Sequence, residues 1–161
     1  MGVSRSTKTI YILDMKHFRG TPGANENLVK QTAELDGRAV SIRMEQEPGS
    51  SGVKVIDDYL RRVLMGWNFA GVPSTGDKEV RAAPFSSQAE AGNVKLVRGR
   101  WINDFLNELE MFPVGDHDDQ VDAASGAFFD LTGPMVSFDD WMKTMKNRAN
   151  KQSEMEVIHG S

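Results

Sequence analysis

An α/β fold is predicted by three observations. Short segments that alternate apolar and polar residues, or are rich in β-branched and aromatic ones, recur along the chain. Helical apolar spacing fills the intervals between them, and turns bearing glycine or proline separate the two. Strands alternating with helices favour an α/β layer over an all-helical or all-β fold. In open sheets of this kind, sites gather at the carboxyl ends of strands.

TIYILDMKHF, residues 9 to 18, reads as a strand that closes at RGTPG. Residues 24 to 36 carry Leu28, Val29, Thr32, Ala33 and Leu35 at helical spacing before Gly37, which predicts a short amphipathic helix. AVSIRMEQ, 39 to 46, alternates Val40, Ile42 and Met44 against Ser41, Arg43 and Glu45, so a strand is expected with Glu45 near its C-terminal end and on the opposite face. EPGSSG then leads into VKVIDDYLRRVLMG, where Val53, Ile56, Leu60, Val63 and Leu64 predict a helix. The loop could cradle a phosphate at that helix N-terminus, or Ser50 or Ser51 could simply cap it. No GxxxxGK[ST] occurs, so no ATPase motor is encoded in these residues.

WNFAGVP, 67 to 73, predicts a further strand, residues 74 to 92 a turn with a short helix, and NVKLV another strand. WINDFLNELEMF, 101 to 112, places Trp101, Phe105, Leu106 and Leu109 on one stripe and stops at Pro113. The next helix is expected over 117 to 131, with Val121, Ala124, Ala127, Phe128 and Leu131 inward. A further helix from Ser137, followed by a polar tail, is expected after Gly133. The organisation predicted is one globular domain over residues 1 to 133 with a C-terminal helix and tail over 134 to 161.

Composition removes several classes of function. There is no cysteine among the 161 residues, so no disulfide framework or thiolate zinc site exists in them, and a bound metal needs oxygen or imidazole ligands. No apolar run approaches the roughly 20 residues that span a bilayer, and MGVSRSTKTI lacks the apolar centre of a signal peptide. A soluble, intracellular protein that is not secreted and has no membrane partner is therefore expected. A net charge of −4 argues against coating nucleic acid with bulk positive charge, but not against a local basic track. Lys78, Arg81, Lys95, Arg98 and Arg100 concentrate in the middle third; they suit such a track or an ordinary solvated surface.

FPVGDHDDQVDAASGAFFDL, 112 to 131, crowds Asp116, Asp118, Asp119 and Asp122 in front of an apolar helical run. On a helix Asp118 and Asp122 are four apart and Asp119 and Asp122 three apart, so they share a face. Acids at a helix N-terminus are favoured by the macrodipole, and one near Asp116 can cap the free N–H groups. Capping needs one or two acids, whereas four disfavour one another's ionisation unless a cation compensates. A divalent ion is such a cation, and phosphodiester hydrolysis can use two of them about 4 Å apart. The spacing thus admits either a capped, solvated acidic turn or a metal site completed by Glu45 from a strand end.

FPVGDHDDQVDAASGAF resembles the C-terminal signature of the phage terminase large subunit's nuclease domain. MEQEPGSSGVKV is similar to that family's second acidic motif, GDKEVRAAPFSSQAEAGNVKLVRG to its middle segment, WINDFLNELEMFP to the helix before the final acids, and YILDMKHFRGTP to an early strand and turn. The resemblance runs in the family's order over approximately residues 1 to 133. It implies a ribonuclease H-like mixed β-sheet flanked by helices and a two-metal endonuclease that cuts concatemeric viral DNA during packaging. By motif, Glu45, Asp118 and Asp119 carry over as catalytic metal ligands, with Asp122 in the same metal-binding signature. Lys78 and Arg81 fall in the middle segment as candidates for phosphate contacts. Mg²⁺ or Mn²⁺, two ions for a complete site, is the implied cofactor. Double-stranded DNA, the terminase ATPase domain, the small terminase subunit and the portal are the implied partners, in the host cytoplasm.

One departure from the family pattern is expected to matter. The family's nuclease domain begins with a strand bearing a metal-binding Asp, whereas this sequence starts near MGVS, where the second strand should be. That strand belongs at the middle of the sheet, so its absence predicts two groups of strands without their shared hydrogen-bonding partner. An endonuclease impaired by the missing Asp is one expectation. A non-catalytic fragment that binds DNA or the packaging motor, and a ribonuclease H-like resolvase, are the alternatives.

Overall fold

The structure is a computed structural model and describes residues 1–73 and 76–132; the helix expected from Ser137 lies outside them. Met1–Leu131 form one compact unit. Among the described residues the strands are β1 (Gly2–Val3), β2 (Ile10–Ile12), β3 (Ile42–Gln46), β4 (Phe69–Pro73) and β5 (Val94–Leu96). The helices are α1 (Pro22–Asp36), α2 (Ser50–Asp58), α3 (Lys78–Glu90), α4 (Ile102–Met111) and α5 (Asp119–Thr132). Strands and helices alternate as the sequence predicts.

Among the described residues the strands form two separate sheets. One has the order β1-β2-β5, with β1 antiparallel and β5 parallel to β2. The other is the parallel pair β3 and β4, in which Glu45 lies opposite Val72. Each sheet has its own apolar core. Ile10 and Ile12 join Phe85 of α3, Phe105 of α4, and Ala124 and Phe128 of α5 in the first. Ala33 of α1, Val63, Leu64 and Phe69 form the second, with Ile42 and Met44 of β3 packed against it. Glu45, between Met44 and Gln46, is exposed on the other face, as the alternation predicts.

Local chemistry explains most element boundaries. Thr21 caps α1 by accepting from the Ala24 N–H at 3.3 Å, and Pro22 occupies the first turn, where a missing N–H costs nothing. Gly37, at φ 84°, takes the left-handed position that ends the helix. At α2 the residue before the helix is Gly49, and neither Ser50 nor Ser51 caps it. A Cβ at Gly52 would collide with the Glu47 carbonyl, so only glycine allows the first turn of α2 to fold back onto the end of β3.

Other expectations need correction. The early strand is confined to Ile10–Ile12, and β1 is added ahead of it. Leu35, placed on the apolar stripe by spacing, is 83% exposed, because α1 buries Ala33 and packs Val29 instead. After Asp58 the helix widens into a π-turn over Tyr59–Val63, closed by the Leu64 N–H donating to the Tyr59 carbonyl at 2.7 Å. The extra residue per turn rotates Val63 and Leu64 inward and leaves Leu60 exposed.

Phe105 is fully buried and packs against Trp101, with ring centroids 5.9 Å apart. Phe105→Ala is expected to lower unfolding free energy by about 3–5 kcal/mol. Leu35→Ala should change it by less than about 0.5 kcal/mol. Urea denaturation of the two variants beside the parent measures both.

Candidate active site

Three elements bring charge together at one place. β3 carries Glu45, the N-terminal half of α3 carries Lys78 and Arg81, and the start of α5 carries the aspartates. α3 is aimed by its cap: the Asp77 carboxylate accepts from the Glu79 N–H at 2.8 Å, which satisfies a free donor of the first turn. Its buried Ala82 and Phe85 then seat it on the core.

Lys78 Nζ donates to Asp118 Oδ2 at 2.6 Å and lies 3.7 Å from Asp122 Oδ2. Arg81 spans two elements, with Nη1 donating to Glu45 Oε1 at 3.3 Å and Nη2 to Asp122 Oδ1 at 3.4 Å. Glu45, Asp118 and Asp122 are thus gathered by two shared cations. The side chain of Asp122 is only 15% exposed, and burial pushes its pKa up. Arg81 and Lys78 pull it down, while Asp118 and Glu45 push it further up. The pairing with Asp118 raises the Lys78 pKa, so this ammonium stays charged.

The remaining members of the acidic run are placed differently. Asp119 is the first residue of α5, exposed, and makes no hydrogen bond or ion pair with this group among the described residues. Asp116 is exposed as well. The His117 ring nitrogens lie 2.9 and 3.3 Å from Arg19 Nη2, which ties the acidic loop to the segment after β2.

Among the described residues the first-turn N–H groups of α5 are met by a side chain from outside the acidic run. The Gln120 and Val121 N–H groups donate to the carboxylate of Glu108, from α4, at 2.6 and 3.0 Å. Spacing on α4 assigned the apolar stripe but not this residue. The available signal was that Glu108 lies three residues after Phe105, hence on the inward face, where an ionised side chain needs a partner. A second ionic tie, Arg43 Nε to Asp130 Oδ1 at 2.8 Å, joins β3 to the far half of α5.

A family profile described as a terminase RNaseH-like domain matches residues 3–131. The chain belongs to the terminase RNaseH-like domain family. No curated protein and no solved structure matched. Membership establishes the ribonuclease H-like fold class of this terminase domain and associates it with a nuclease role in packaging. No helix among the described residues is long and apolar enough to cross a membrane.

The donor chemistry of Glu45, Asp118 and Asp122 in this terminase domain is that of a hard divalent cation, all oxygen and anionic. Among the described residues, however, no group of three acids or imidazoles is arranged to hold an ion as it stands. The acids face Lys78 and Arg81 instead, which neutralise them.

The pKa shift of Asp122 has a testable sign. Its folded value is raised above 3.8, so the stability contributed by its protonated form is full below that pH and is lost as pH rises through the folded value. Lys78→Met removes a cation that lowers this pKa. Carboxyl NMR titration should place Asp122 above the ordinary aspartate range in the parent and higher still in the variant.

Proposed function

We propose that the domain is a metal-dependent endonuclease acting on double-stranded DNA during genome packaging, with Glu45, Asp118, Asp119 and Asp122 as ligands for Mg²⁺ or Mn²⁺. The observation that carries this reading is the gathering of strand-borne Glu45 with helix-borne Asp118 and Asp122 in a terminase-family chain. When bound, divalent ions would supply Lewis-acid activation of water and stabilisation of the leaving oxygen. Asp119, exposed at the first position of α5, would reach the group by a change of side-chain rotamer.

Lys78 and Arg81 have two roles in this mechanism. Without DNA they are the counter-ions of the acids, which lowers the cost of holding three carboxylates close together. A divalent ion competes with them for the same oxygens, and an Arg or Lys displaced from a carboxylate is free to meet a phosphate. Such contacts hold the backbone without reading sequence, so low intrinsic sequence specificity is expected. The ATPase domain, small terminase subunit and portal are the proposed partners, in the host cytoplasm.

Plasmid nicking with Mg²⁺ or Mn²⁺ tests the assignment. Glu45→Ala and Asp119→Asn should each reduce cleavage by at least about 100-fold while cooperative unfolding is retained. Cleavage that survives both substitutions means the site is misassigned. Salt-sensitive DNA binding with no cleavage under either metal would favour a non-catalytic packaging fragment. Preference for branched over linear duplex would favour a resolvase. Lys78→Met should lower the dependence of log affinity on log salt by about 1 if Lys78 meets a phosphate.

A further inference from the structure

The proposed chemistry needs α5 to present particular acids toward β3 and α3, so its first turn must be fixed in both position and rotation. One residue along a helix turns the side chain by about 100°, so a small slip would exchange Asp118 and Asp122 for other groups. A helix N-terminus also has N–H groups with no partner inside the helix. Here one carboxylate from α4 meets them. Glu108 Oε1 accepts from the Gln120 and Val121 N–H groups, and Oε2 accepts from the Gln120 side-chain amide at 2.7 Å. A single hydrogen bond would leave α5 free to pivot; three donors on two oxygens do not.

The clamp is rooted in the core. Glu108 is 8% and Gln120 4% exposed, and Phe105, one turn earlier on α4, is fully buried. No Lys or Arg pairs with Glu108 among the described residues, so its charge is met by backbone donors and the positive end of α5. On the other side of the same turn stand Asp118 and Asp122 with Lys78 and Arg81.

We propose that Glu108 is the positioning residue of the acidic site: by clamping the first turn of α5 to α4, it sets which acids face Lys78, Arg81 and Glu45. Its consequence for metal binding rests on the nuclease reading above, whereas the clamp itself can be measured without metal. Glu108→Gln keeps the side-chain volume and an acceptor for the two backbone N–H groups but removes the charge that strengthens those bonds. Glu108→Ala removes the clamp. Leu106→Ala, on the exposed side of α4, is the control.

The full chain is tested by amide hydrogen exchange, by competitive acetylation of Lys78 against the exposed Lys30 and Lys54, and by Mn²⁺ titration. In folded Glu108→Gln, exchange of the Gln120 and Val121 amides should rise by about 10-fold or more. Loosening of the Lys78–Asp118 pair should speed Lys78 acetylation by about threefold. Mn²⁺ affinity should fall by about 10-fold, and Leu106→Ala should change none of the three. Unchanged amide exchange overturns the proposal, as does faster exchange with Lys78 reactivity and Mn²⁺ affinity both unaltered. If the parent binds no Mn²⁺, the metal reading fails and amide exchange with Lys78 acetylation decides the clamp: faster exchange together with faster labelling supports it, and either one unchanged overturns it. If Glu108→Ala does not fold, the same three measurements on Glu108→Gln decide between these outcomes.

Discussion

The Arg81 guanidinium is the interaction on which the site depends. From α3 it reaches Glu45 on β3 and Asp122 on α5, so one cation joins three elements and both sheets' surroundings. Its bonds, at 3.3 and 3.4 Å, are longer than the 2.7–2.9 Å or so of tight charge-assisted pairs, which suits a cation that holds acids without locking them. Lys78 adds a short bond to Asp118. Without these two residues, three carboxylates around a partly buried position would repel one another, and the already raised pKa of Asp122 would rise further.

The two sheets make this charge work structural as well as chemical. β3 and β4 pack on one apolar core and β1, β2 and β5 on another, and Arg43 with Asp130 and Arg81 with Glu45 tie the first pair of strands to the helices of the second core. The aspartates meet Glu45 only because α5 is held in register on its other side. A buried carboxylate on α4 does this, and it converts the unsatisfied N–H groups of a helix start into a mechanical reference point.

Much of the architecture was legible because it is locally encoded. Gly37 ends α1, Pro113 follows α4, and the alternation of Ile42, Arg43, Met44 and Glu45 shows which way Glu45 faces, whereas Thr21 and Pro22, read as part of a turn, start α1 two residues earlier than expected. The acidic run and the Lys78 and Arg81 segment were visible as composition, and family resemblance connected them. What escaped was decided at long range. Leu35 has helical spacing yet is exposed, and no turn residue in the sequence announces the π-turn after Asp58. Glu108 looks like one more acid of NELE until α5 is placed 12 residues further on, where its oxygens find Gln120 and Val121. That Lys78 and Arg81 would face acids rather than solvent is likewise a property of how α3 packs, not of the segment that contains them.

In the proposed function, Glu45 and the start of α5 form one cation-binding site. Paramagnetic broadening of backbone amide signals by substoichiometric Mn²⁺ tests it most directly, since broadening reports distance from the ion without requiring turnover. Glu45, Asp118, Asp119 and Asp122 should broaden together and recover when Mg²⁺ is added in excess. Broadening confined to the aspartates with Glu45 untouched, or centred elsewhere in the domain, would contradict it.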